Sequence, residues 1–331
     1  MEYKLISVVV AVYNGEKSIA ATIQSVLNQD YSYPVECIVV DDGSLDRTAD
    51  IVQTFKQVRY FYQSNQGPAV ARNQGAQLAK GEIIFFTDSD CVPQKDWIKK
   101  SIDYFRDDTV GVVAGSYGIM NPESLLARCI HSEIIFRHHV LMPNFPRAFG
   151  SYNFAIKKRV FQEVGGFNIQ YRYPSGEDND LSYKLIKTGY KIRFVKDSIV
   201  KHFHPVSVKK YLMGQYRHGF WRVRMYLDHP QMSLGDDYTF WKDAVEVLVV
   251  ALLGISSAVL IINFSIAMKV IFLLLIFLLT VEIYYSYRSS HRLKESIFFS
   301  WIMFLRAFAR TFGFSSGILS VLLKKKIKKS K

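Results

Sequence analysis

The stretch that decides the fold is "EIIFFTDSDC", residues 82–91. Four apolar residues, Ile83 to Phe86, are followed by two carboxylates, Asp88 and Asp90, with one residue between them. A short continuous apolar run is typical of a strand that is covered on both faces, where a charged side chain has no place. The pattern therefore predicts a buried strand whose end carries two acids out of the core.

Similar apolar runs occur elsewhere in the chain and are separated by stretches with helical spacing. The predicted strands are "LISVVVAVY" (5–13), "VECIVV" (35–40), "VRYFY" (58–62), "EIIFF" (82–86), "VGVVAG" (110–115) and "IRFV" (192–195). Strands that alternate with short helices predict an α/β fold, a Rossmann-like three-layer arrangement around a mostly parallel sheet. Residues 116–165 show no clear period, and we expect a helix followed by an irregular segment there.

Polar side chains follow three of these strands, as Tyr13-Asn14, Asp41-Asp42 and Asp88-Ser89-Asp90. Right-handed crossovers bring the carboxyl ends of parallel strands to one edge, where such sheets bind ligands. Two carboxylates at this edge suit Mg²⁺ or Mn²⁺ holding phosphate oxygens. A solvated turn with two acids is the alternative, because the pattern D-x-D is common by chance.

Two later segments add candidates for chemistry. In "GEDNDL" (176–181), Asp178 could take a proton from an attacking hydroxyl, although an acid at a helix start is also favourable for the helix alone. In "KHFHP" (201–205), His202 or His204 could complete a metal site as a neutral imidazole. The alternative for either histidine is an ordinary surface position.

Charge and cysteine content narrow the class of protein. Residues 288–331 carry eleven Lys or Arg against one acid, so this end holds +10 of the net +13. Basic charge beside apolar segments indicates an anionic membrane surface, and we expect no nucleic-acid partner. The three cysteines, Cys37, Cys91 and Cys129, lack metal-type spacing and are predicted to be reduced thiols. The N-terminus shows no signal-peptide pattern.

The C-terminal part is predicted to be a membrane region, residues 236–331, after a catalytic domain of residues 1–235. Helices at about 244–264 and 266–285 each have the length that a bilayer core requires. Residues 297–323 are expected to be interfacial or re-entrant, because an arginine at mid-bilayer costs about 2.5–3.5 kcal/mol. The basic loop and basic tail favour the cytoplasmic side. Three crossings, or buried helices of a soluble protein, are the alternatives.

Several motifs appear together and in order: "SVVVAVYNGEKSIAATIQSVLNQDY", "IVVDDGSLDRT", "NQGPAVARNQGAQLAKGEIIFFTDSD", "VGGFN" and "GEDNDLSYKLIKTGYKI". This set resembles the family-two inverting glycosyltransferases of the GT-A fold, over about residues 5–225. The resemblance implies transfer of a sugar from a nucleotide-diphosphate sugar with the help of Mg²⁺ or Mn²⁺. Residues 240–331 resemble only the membrane tails that some members carry.

The resemblance also implies roles for individual residues. Asp178 matches the catalytic base, Asp90 and His202 match the metal ligands, and Arg72 matches the arginine near the nucleotide. The positions that match the donor nucleotide site are Val12, Tyr13, Asn14, Asp41, Asp42, Arg72 and Asp88. Further candidates beside these positions are Glu16, Ser89, Glu177 and His204.

One departure from the family pattern bears on the reaction. Processive members carry Q-x-x-R-W, whereas this chain has "QYRHGFW" (215–221), which favours transfer of a single sugar. We therefore expect a multi-pass enzyme, with the plasma membrane as its location and a cytoplasmic catalytic domain. It would act with a UDP-linked donor on a hydroxyl or phosphate of a saccharide or lipid-linked acceptor, among membrane lipids. A sugar nucleotidyltransferase or a non-catalytic membrane scaffold that binds sugar nucleotide are the alternatives.

Overall fold

The computed structural model describes residues 3–171, 176–232, 237, 240–290 and 292–329, with the backbone alone for the last six. The chain forms two compact units: Met1–Met120 with His138–Phe203, and Asn121–Arg137 with His204–Lys331. This division differs from the expected one at residue 235. Residues 121–137 and the chain from His204 onward contact the C-terminal helices and so belong with them.

The first unit contains all the strands that the structure describes. They are β1 (Ile6–Val12), β2 (Val35–Asp41), β3 (Val58–Tyr62), β4 (Ile83–Asp88), β5 (Cys91–Pro93), β6 (Val110–Ile119), β7 (Asn153–Lys157) and β8 (Lys191–His202). The helices of this unit are α1 (Ile19–Leu27), α2 (Thr48–Gln53), α3 (Pro68–Leu78), α4 (Trp97–Ile102), α6 (Lys158–Glu163) and α7 (Glu177–Lys187). Helix α5 (Leu125–Phe136) belongs to the second unit.

The eight strands form one mixed sheet in the order β3-β2-β1-β4-β7-β6-β8-β5. The pairs β1–β2, β1–β4, β2–β3 and β6–β8 are parallel. Strand β7 is antiparallel to both of its neighbours, and β5 is antiparallel to β8. The predicted α/β fold with mostly parallel strands is confirmed, and β5 and β7 are the reversed strands that the sequence did not indicate.

The apolar tetrad of β4 lies in the core, as its sequence predicts. Phe85 and Phe86 are fully buried. The ring of Phe85 meets that of Trp97 edge-on at 4.8 Å, and Phe86 stacks on Phe154 at 4.7 Å. Burial of large aromatic side chains contributes strongly to core stability. The strand end that carries the acids is therefore firmly held.

The second unit consists of long helices. They are α5, α8 (Val208–Asp228), α9 (Trp241–Val259), α10 (Phe264–Ser290) and α11 (Leu293–Lys329). By length and composition, two helices in the described part of the chain could cross a membrane: α10, with mean hydropathy 2.6, and Leu293–Leu323 of α11, with 1.3. The expected span 266–285 lies inside α10. The expected span 244–264 is interrupted, since α9 ends at Val259.

Residues 297–323 are one part of the continuous helix α11 and do not form a re-entrant segment. The expectation rested on the cost of placing Arg306 and Arg310 in lipid. In the structure Arg306 is 1% exposed and bonds to Glu133 and Glu246, while Arg310 bonds to Asp243 and to Gln215. Because both arginines have acidic partners within the unit, neither forces the helix to leave a membrane.

These arginines belong to a larger set of buried ions, here called the charge network. Lys242 lies between Glu246 and Glu282, and Arg137 bonds to Glu133 and Asp243. Among the described residues the charge network contains four cations and four anions: Arg137, Lys242, Arg306, Arg310, Glu133, Asp243, Glu246 and Glu282. Its charges therefore balance within the unit.

Glycines allow α8 and α11 to approach closely. A Cβ at Gly313 would overlap the carbonyl oxygen of Tyr216, and a Cβ at Gly219 would overlap that of Arg310. Small residues at such crossings let helix backbones come together. The departure at Gly219 in "QYRHGFW" therefore has a packing reason, because Gly219 faces the backbone of α11. Gln215, which the family pattern shares, accepts a hydrogen bond from Arg310.

Candidate active site

The register of the sheet brings together three strand ends that carry polar side chains. Ala11 pairs with Asp88 of β4, and Val12 pairs with Asp41 of β2. The carboxyl ends of β1, β2 and β4 therefore lie side by side at one sheet edge, which is where α/β sheets bind ligands. The sequence prediction that these polar clusters converge agrees with this register.

The chain that leaves β1 is tied to the chain that leaves β2. Asn14 has a positive φ of 52°, a conformation that asparagine tolerates better than most residues. Its N–H donates to Ser44 Oγ at 2.9 Å, and its side-chain oxygen accepts from the N–H of Leu45 at 2.8 Å. Val12 is buried and Tyr13 is half-exposed. The ring of Tyr13 is thus available at this edge.

Glu16 and Ser89 contact neighbouring loops of the same edge. The carboxylate of Glu16 accepts from the N–H of Arg47 at 3.3 Å, and its own N–H donates to Asp46 at 3.1 Å. The carbonyl oxygen of Ser89 accepts from Thr22 Oγ1 at 2.9 Å. The hydroxyl of Thr22, on α1, therefore fixes the turn between Asp88 and Asp90.

Asp41 and Asp42 are buried and organise the loops around them. Asp41 accepts from Tyr60 Oη at 2.9 Å and from the N–H of Ser44 at 2.8 Å. Asp42 accepts from Gln63 Nε2 and from the backbone N–H groups of Gln66 and Gly67, at 2.7–2.9 Å. A carboxylate has about four acceptor sites, and these three hydrogen bonds fill three of those of Asp42.

Arg72 links two parts of the site that lie far apart in sequence. Its guanidinium donates to Asp88 at 2.7 Å and to Glu177 at 2.9 Å, and it lies over the ring of Phe167 at 5.5 Å. Arg72 is only 5% exposed. Burial disfavours its charge, yet the two carboxylates outweigh burial and raise the pKa of Arg72 above its usual range. This arginine therefore holds the end of β4 against the start of α7.

Asp90 and His202 lie together, as the resemblance implied. The Asp90 carboxylate is 3.4 Å from His202 Nε2, and the two side chains are 48% and 20% exposed. Burial disfavours the imidazolium, but the hydrogen bond and negative charge of Asp90 prevail and raise the pKa of His202. The negative charge of Asp90 would also attract a metal cation, which would have to displace the proton from His202 to bind its nitrogen.

His204 lies in a different setting. Its Nε2 is 3.3 Å from His131 Nδ1, and its backbone exchanges hydrogen bonds with the side chain of Asn121. His204 is 4% exposed and belongs to the second unit. Of the two candidates, His202 is the histidine that contacts Asp90.

Asp178 lies in the first turn of α7, directly after the buried Glu177. Its carboxylate accepts from the N–H of Asn179 at 2.8 Å and from the N–H of Ser151 at 3.3 Å. Burial, and then the negative charge of Glu177, raise the pKa of Asp178 to about 7. A carboxyl group with this pKa exchanges protons near neutral pH, which a general base requires.

Two contacts of the site had no clear signal in the sequence. The N–H of Ser151 reaches Asp178 from the segment 116–165, which had no readable period. The thiol of Cys91 lies 3.8 Å from Asp90 Oδ1. Its place directly after the second acid was the available signal, but a lone cysteine without metal-type spacing gave no reason to use it.

Comparison with known proteins relates the chain that carries this site to a protein family. The profile described as glycosyl transferase family 2 matches residues 7–165, and that described as the N-terminal domain of galactosyltransferase matches residues 131–207. The pre-mycofactocin glycosyltransferase of Mycobacterium tuberculosis (strain CDC 1551 / Oshkosh) is 26% identical over 69% of this chain and 49% of its own length. The probable glycosyltransferase YdaM of Bacillus subtilis (strain 168) is 28% identical over 63% of this chain and 53% of its own.

The fold also matches a solved structure. The mannosyltransferase PcManGT from Pyrobaculum calidifontis, in complex with GDP-Man and Mn²⁺, aligns with a TM-score of 0.58 at 18% identity, over 95% of this chain and 87% of that one. The chain spans about half the length of the two curated relatives named above. Residues 7–165 therefore belong to glycosyl transferase family 2, and the first unit has the GT-A fold of the family.

Proposed function

We propose that this protein is an inverting, metal-dependent glycosyltransferase that moves a single sugar from a nucleotide-diphosphate sugar to a membrane-proximal acceptor. The observation that carries the proposal is the chain of contacts from Asp88 through Arg72 to Glu177, whose neighbour Asp178 has a pKa of about 7. These contacts connect Asp178, the proposed proton acceptor, to the end of β4, where we place the nucleotide. The relatives named above, described as glycosyltransferases, support the same activity.

The residues at the end of β4 fit a divalent cation such as Mg²⁺ or Mn²⁺. Asp90 and His202 offer an oxygen and a nitrogen ligand that face each other, and both remain partly exposed. Such a site leaves room for phosphate oxygens, the usual companions of these ions. When bound, the cation offsets the negative charge that develops on a departing diphosphate. The solved mannosyltransferase, which contains Mn²⁺, supports this assignment.

Asp178 is the proposed base. It removes the proton of the acceptor hydroxyl while that oxygen forms a bond to the anomeric carbon. The bond from this carbon to the diphosphate breaks on the opposite face, so the configuration inverts. The N–H groups of Ser151 and Asn179 hold the carboxylate in place. An acceptor phosphate would need no such deprotonation, so a hydroxyl acceptor makes fuller use of this residue.

Arg72, Asp88 and the loops after β1 and β2 form the proposed nucleotide site. Tyr13 offers a half-exposed ring, and the Asp42 carboxylate would accept from a base N–H. We expect a UDP-linked donor, because a uracil N–H suits this carboxylate. Arg72 pairs with Glu177 in the first turn of α7 and so fixes the position of the nucleotide site relative to the general base Asp178.

The second unit supports an acceptor near a membrane. Helix α10 and residues Leu293–Leu323 of α11 have the length and hydropathy of membrane spans. The basic tail after Leu323 favours the cytoplasmic side. If both helices cross the membrane, the chain before α10 lies on the same side as this tail, where sugar nucleotides are present, and the loop 288–295 lies on the other side. We propose a multi-pass protein, with the plasma membrane as its site and a saccharide or lipid-linked acceptor. Its reaction would belong to glycan or cell-surface polysaccharide synthesis.

The test is a screen of the purified full chain against a panel of sugar nucleotides, with and without EDTA. We expect donor turnover with one nucleotide class, loss of turnover in EDTA, and recovery with Mn²⁺ or Mg²⁺. Asp178→Asn should lower turnover by about 10²–10⁴-fold with donor affinity unchanged. Near-normal transfer by Asp178→Asn would refute the assigned base, and activity in EDTA would refute the metal.

A matched control is available in the same helix. Asp180→Asn removes one negative charge two residues away, where the side chain pairs with Lys184 at 3.3 Å. We expect this variant to lose stability but to keep its turnover per folded molecule. Equal loss in both variants would show that Asp178 acts only through the local charge of α7.

A further inference from the structure

A buried thiol lies next to the proposed metal ligands. Strand β5 pairs with β8 so that Cys91 is directly opposite His202, and Asp90 immediately precedes Cys91. Cys91 Sγ is 3.8 Å from Asp90 Oδ1, and His202 Nε2 is 3.4 Å from Asp90 Oδ2. One ligand atom from each of these three side chains lies within 4.8 Å of the others. Carboxylate, imidazole and thiol groups therefore converge on one point.

The separations suit a small tetrahedral metal centre. Zinc binds thiolate sulfur at about 2.3 Å and imidazole nitrogen or carboxylate oxygen at about 2.0 Å, so tetrahedral ligands lie about 3.3–3.6 Å apart. The separations of 3.4 Å and 3.8 Å are close to these values, but they end at different oxygens of Asp90, Oδ2 and Oδ1, and one common set of ligand atoms lies within 4.8 Å. Small movements of the half-exposed Asp90 side chain would complete the fit. The strand pair thus holds two of the three ligands on a rigid support.

We propose that Asp90, Cys91 and His202 form a three-ligand site for Zn²⁺ or Co²⁺, with the fourth position open. This inference rests on the divalent-metal site of the proposed function and extends it to a second class of ion. Thiolates favour zinc and cobalt, whereas Mg²⁺ and Mn²⁺ favour oxygen ligands. The same site therefore takes a hard ion through Asp90 and His202 alone, and a softer ion through all three side chains.

Binding of the softer ion is a simple exchange of a proton for a metal. The S–H bond of Cys91 breaks, the sulfur forms a bond to the metal, and the proton leaves to solvent. No electron transfer is involved, so no oxidant or reductant is needed. The ion approaches from the side of Asp90, because Cys91 itself is fully buried while the Asp90 side chain is 48% exposed.

The main alternative is a cysteine that only fills space. Cys91 is part of the hydrophobic core cluster together with Trp97 and Val200. A packing role predicts that the thiol never bonds to the metal, whichever ion is added. The two roles differ in a spectroscopic property, since only a thiolate bonded to Co²⁺ gives a sulfur-to-cobalt charge-transfer absorption in the near ultraviolet.

The experiment is a Co²⁺ titration of the detergent-purified full chain in a phosphine reductant that lacks thiols. We expect the charge-transfer absorption in the unmodified protein and in Cys129→Ser, a matched control that removes another buried thiol. We expect it to be absent in Cys91→Ser and Cys91→Ala. Zn²⁺ affinity should fall in these two variants by at least about 100-fold, the upper end of what loss of an outer-shell partner costs.

Mn²⁺ binding, followed by electron paramagnetic resonance, separates this inference from the proposed function. If Cys91→Ser and Cys91→Ala keep Mn²⁺ affinity within about twofold of the unmodified protein, the variants are folded at the site. Bound Co²⁺ without the charge-transfer absorption in the unmodified protein would overturn the thiol ligand and leave the Mn²⁺ site standing. Absence of binding by every ion would overturn both proposals.

Discussion

The strand-end site and the charge network differ in how completely their charges are compensated. At the sheet edge, Asp88 and Asp90 keep 32% and 48% of their side chains exposed. In the charge network, the Arg306 and Lys242 side chains are 1% exposed and Glu246 and Glu282 are fully buried. Exposed, partly paired carboxylates retain the capacity to bind a ligand. Buried ions that neutralise one another serve the packing of the helices.

The largest effect that distinguishes the two regions is expected for Arg306→Ala. This change removes the cation that Glu133 and Glu246 share and leaves each of these buried carboxylates with one fewer partner, Arg137 remaining for Glu133 and Lys242 for Glu246. Breaking a buried pair from one side costs about 3–5 kcal/mol of unfolding free energy. Thermal unfolding in detergent would measure it as a large fall in Tm.

Arg292→Ala is the control for Arg306. The side chain of Arg292 is 73% exposed, and it pairs with Glu295 at 3.4 Å. Exposed pairs contribute about 0–1 kcal/mol, so its Tm should change little. If both variants lost the same stability, the charge network would not be a structural element.

The next effect concerns the close crossing of α8 and α11. Gly313→Ala places a methyl group against the carbonyl oxygen of Tyr216, and overpacking of this kind costs about 1–3 kcal/mol. Gly254→Ala makes the same change on α9, where nothing lies within 4 Å of the new Cβ. Helix propensity alone then favours alanine by about 1 kcal/mol. Opposite Tm shifts are expected, and a fall in both would contradict the crossing.

A pH profile tests the raised pKa of Asp178. Because the base must be deprotonated, turnover should rise about tenfold per pH unit below pH 7 and level off above it. The folded state binds this proton more tightly than the unfolded state, whose pKa is near 3.8. Its stabilising contribution is therefore full below pH 3.8 and is lost as pH rises to about 7.

The variant Asp178→Asn tests this pH dependence of stability directly. Relative to the unmodified protein, this variant should gain Tm at pH 8, where the unmodified protein carries the desolvated Asp178 carboxylate beside Glu177. The gain should shrink at pH 5. A Tm difference that is independent of pH would show that Asp178 is ionised throughout this range.

Among the variants of the strand-end site, a small loss of stability is expected for Asp88→Asn. Arg72 keeps Glu177 as a partner, and Asp88 is one-third exposed, so the loss should be about 1 kcal/mol. Donor affinity, measured by calorimetry, should nevertheless fall clearly. A variant that unfolds as readily as Arg306→Ala would place Asp88 among the structural ions and contradict the comparison.

The sequence predicted those features that depend on residues close to one another in the chain. The apolar runs of β1, β2 and β4 and the acids after them have a clear signature, because buried parallel strands are continuous and their ends are polar. Strand β7 was not predicted, since it lies in an aromatic segment without a period, and its place depends on Asn153. That side chain accepts from Trp97 and donates to the carbonyls of Ser116 and Ser198. Such long-range bonds have no local signature.

The lack of a local signature also explains why the ion pairs of Arg306 were not predicted. Arg306 was interpreted from its own neighbours in sequence, where no acid lies nearby. Its partners, Glu133 and Glu246, are 173 and 60 residues away. The roles of the strand-end residues rest on the motif order of the family. The structure adds that Asp41 and Asp42 also hold loops, which no motif indicates.

The antiparallel pairing of β5 with β8 limits how the segment Asp88-Ser89-Asp90 can vary in length. Asp88 ends β4, and only Ser89 and Asp90 separate it from β5, whose first residue is opposite His202. One inserted residue after Ser89 would move β5 by one place along β8 and turn every side chain to the other face. The spacing of the two acids therefore also determines which residue of β5 pairs with which residue of β8. Insertions at this turn should be absent from functional variants, whatever residue is inserted.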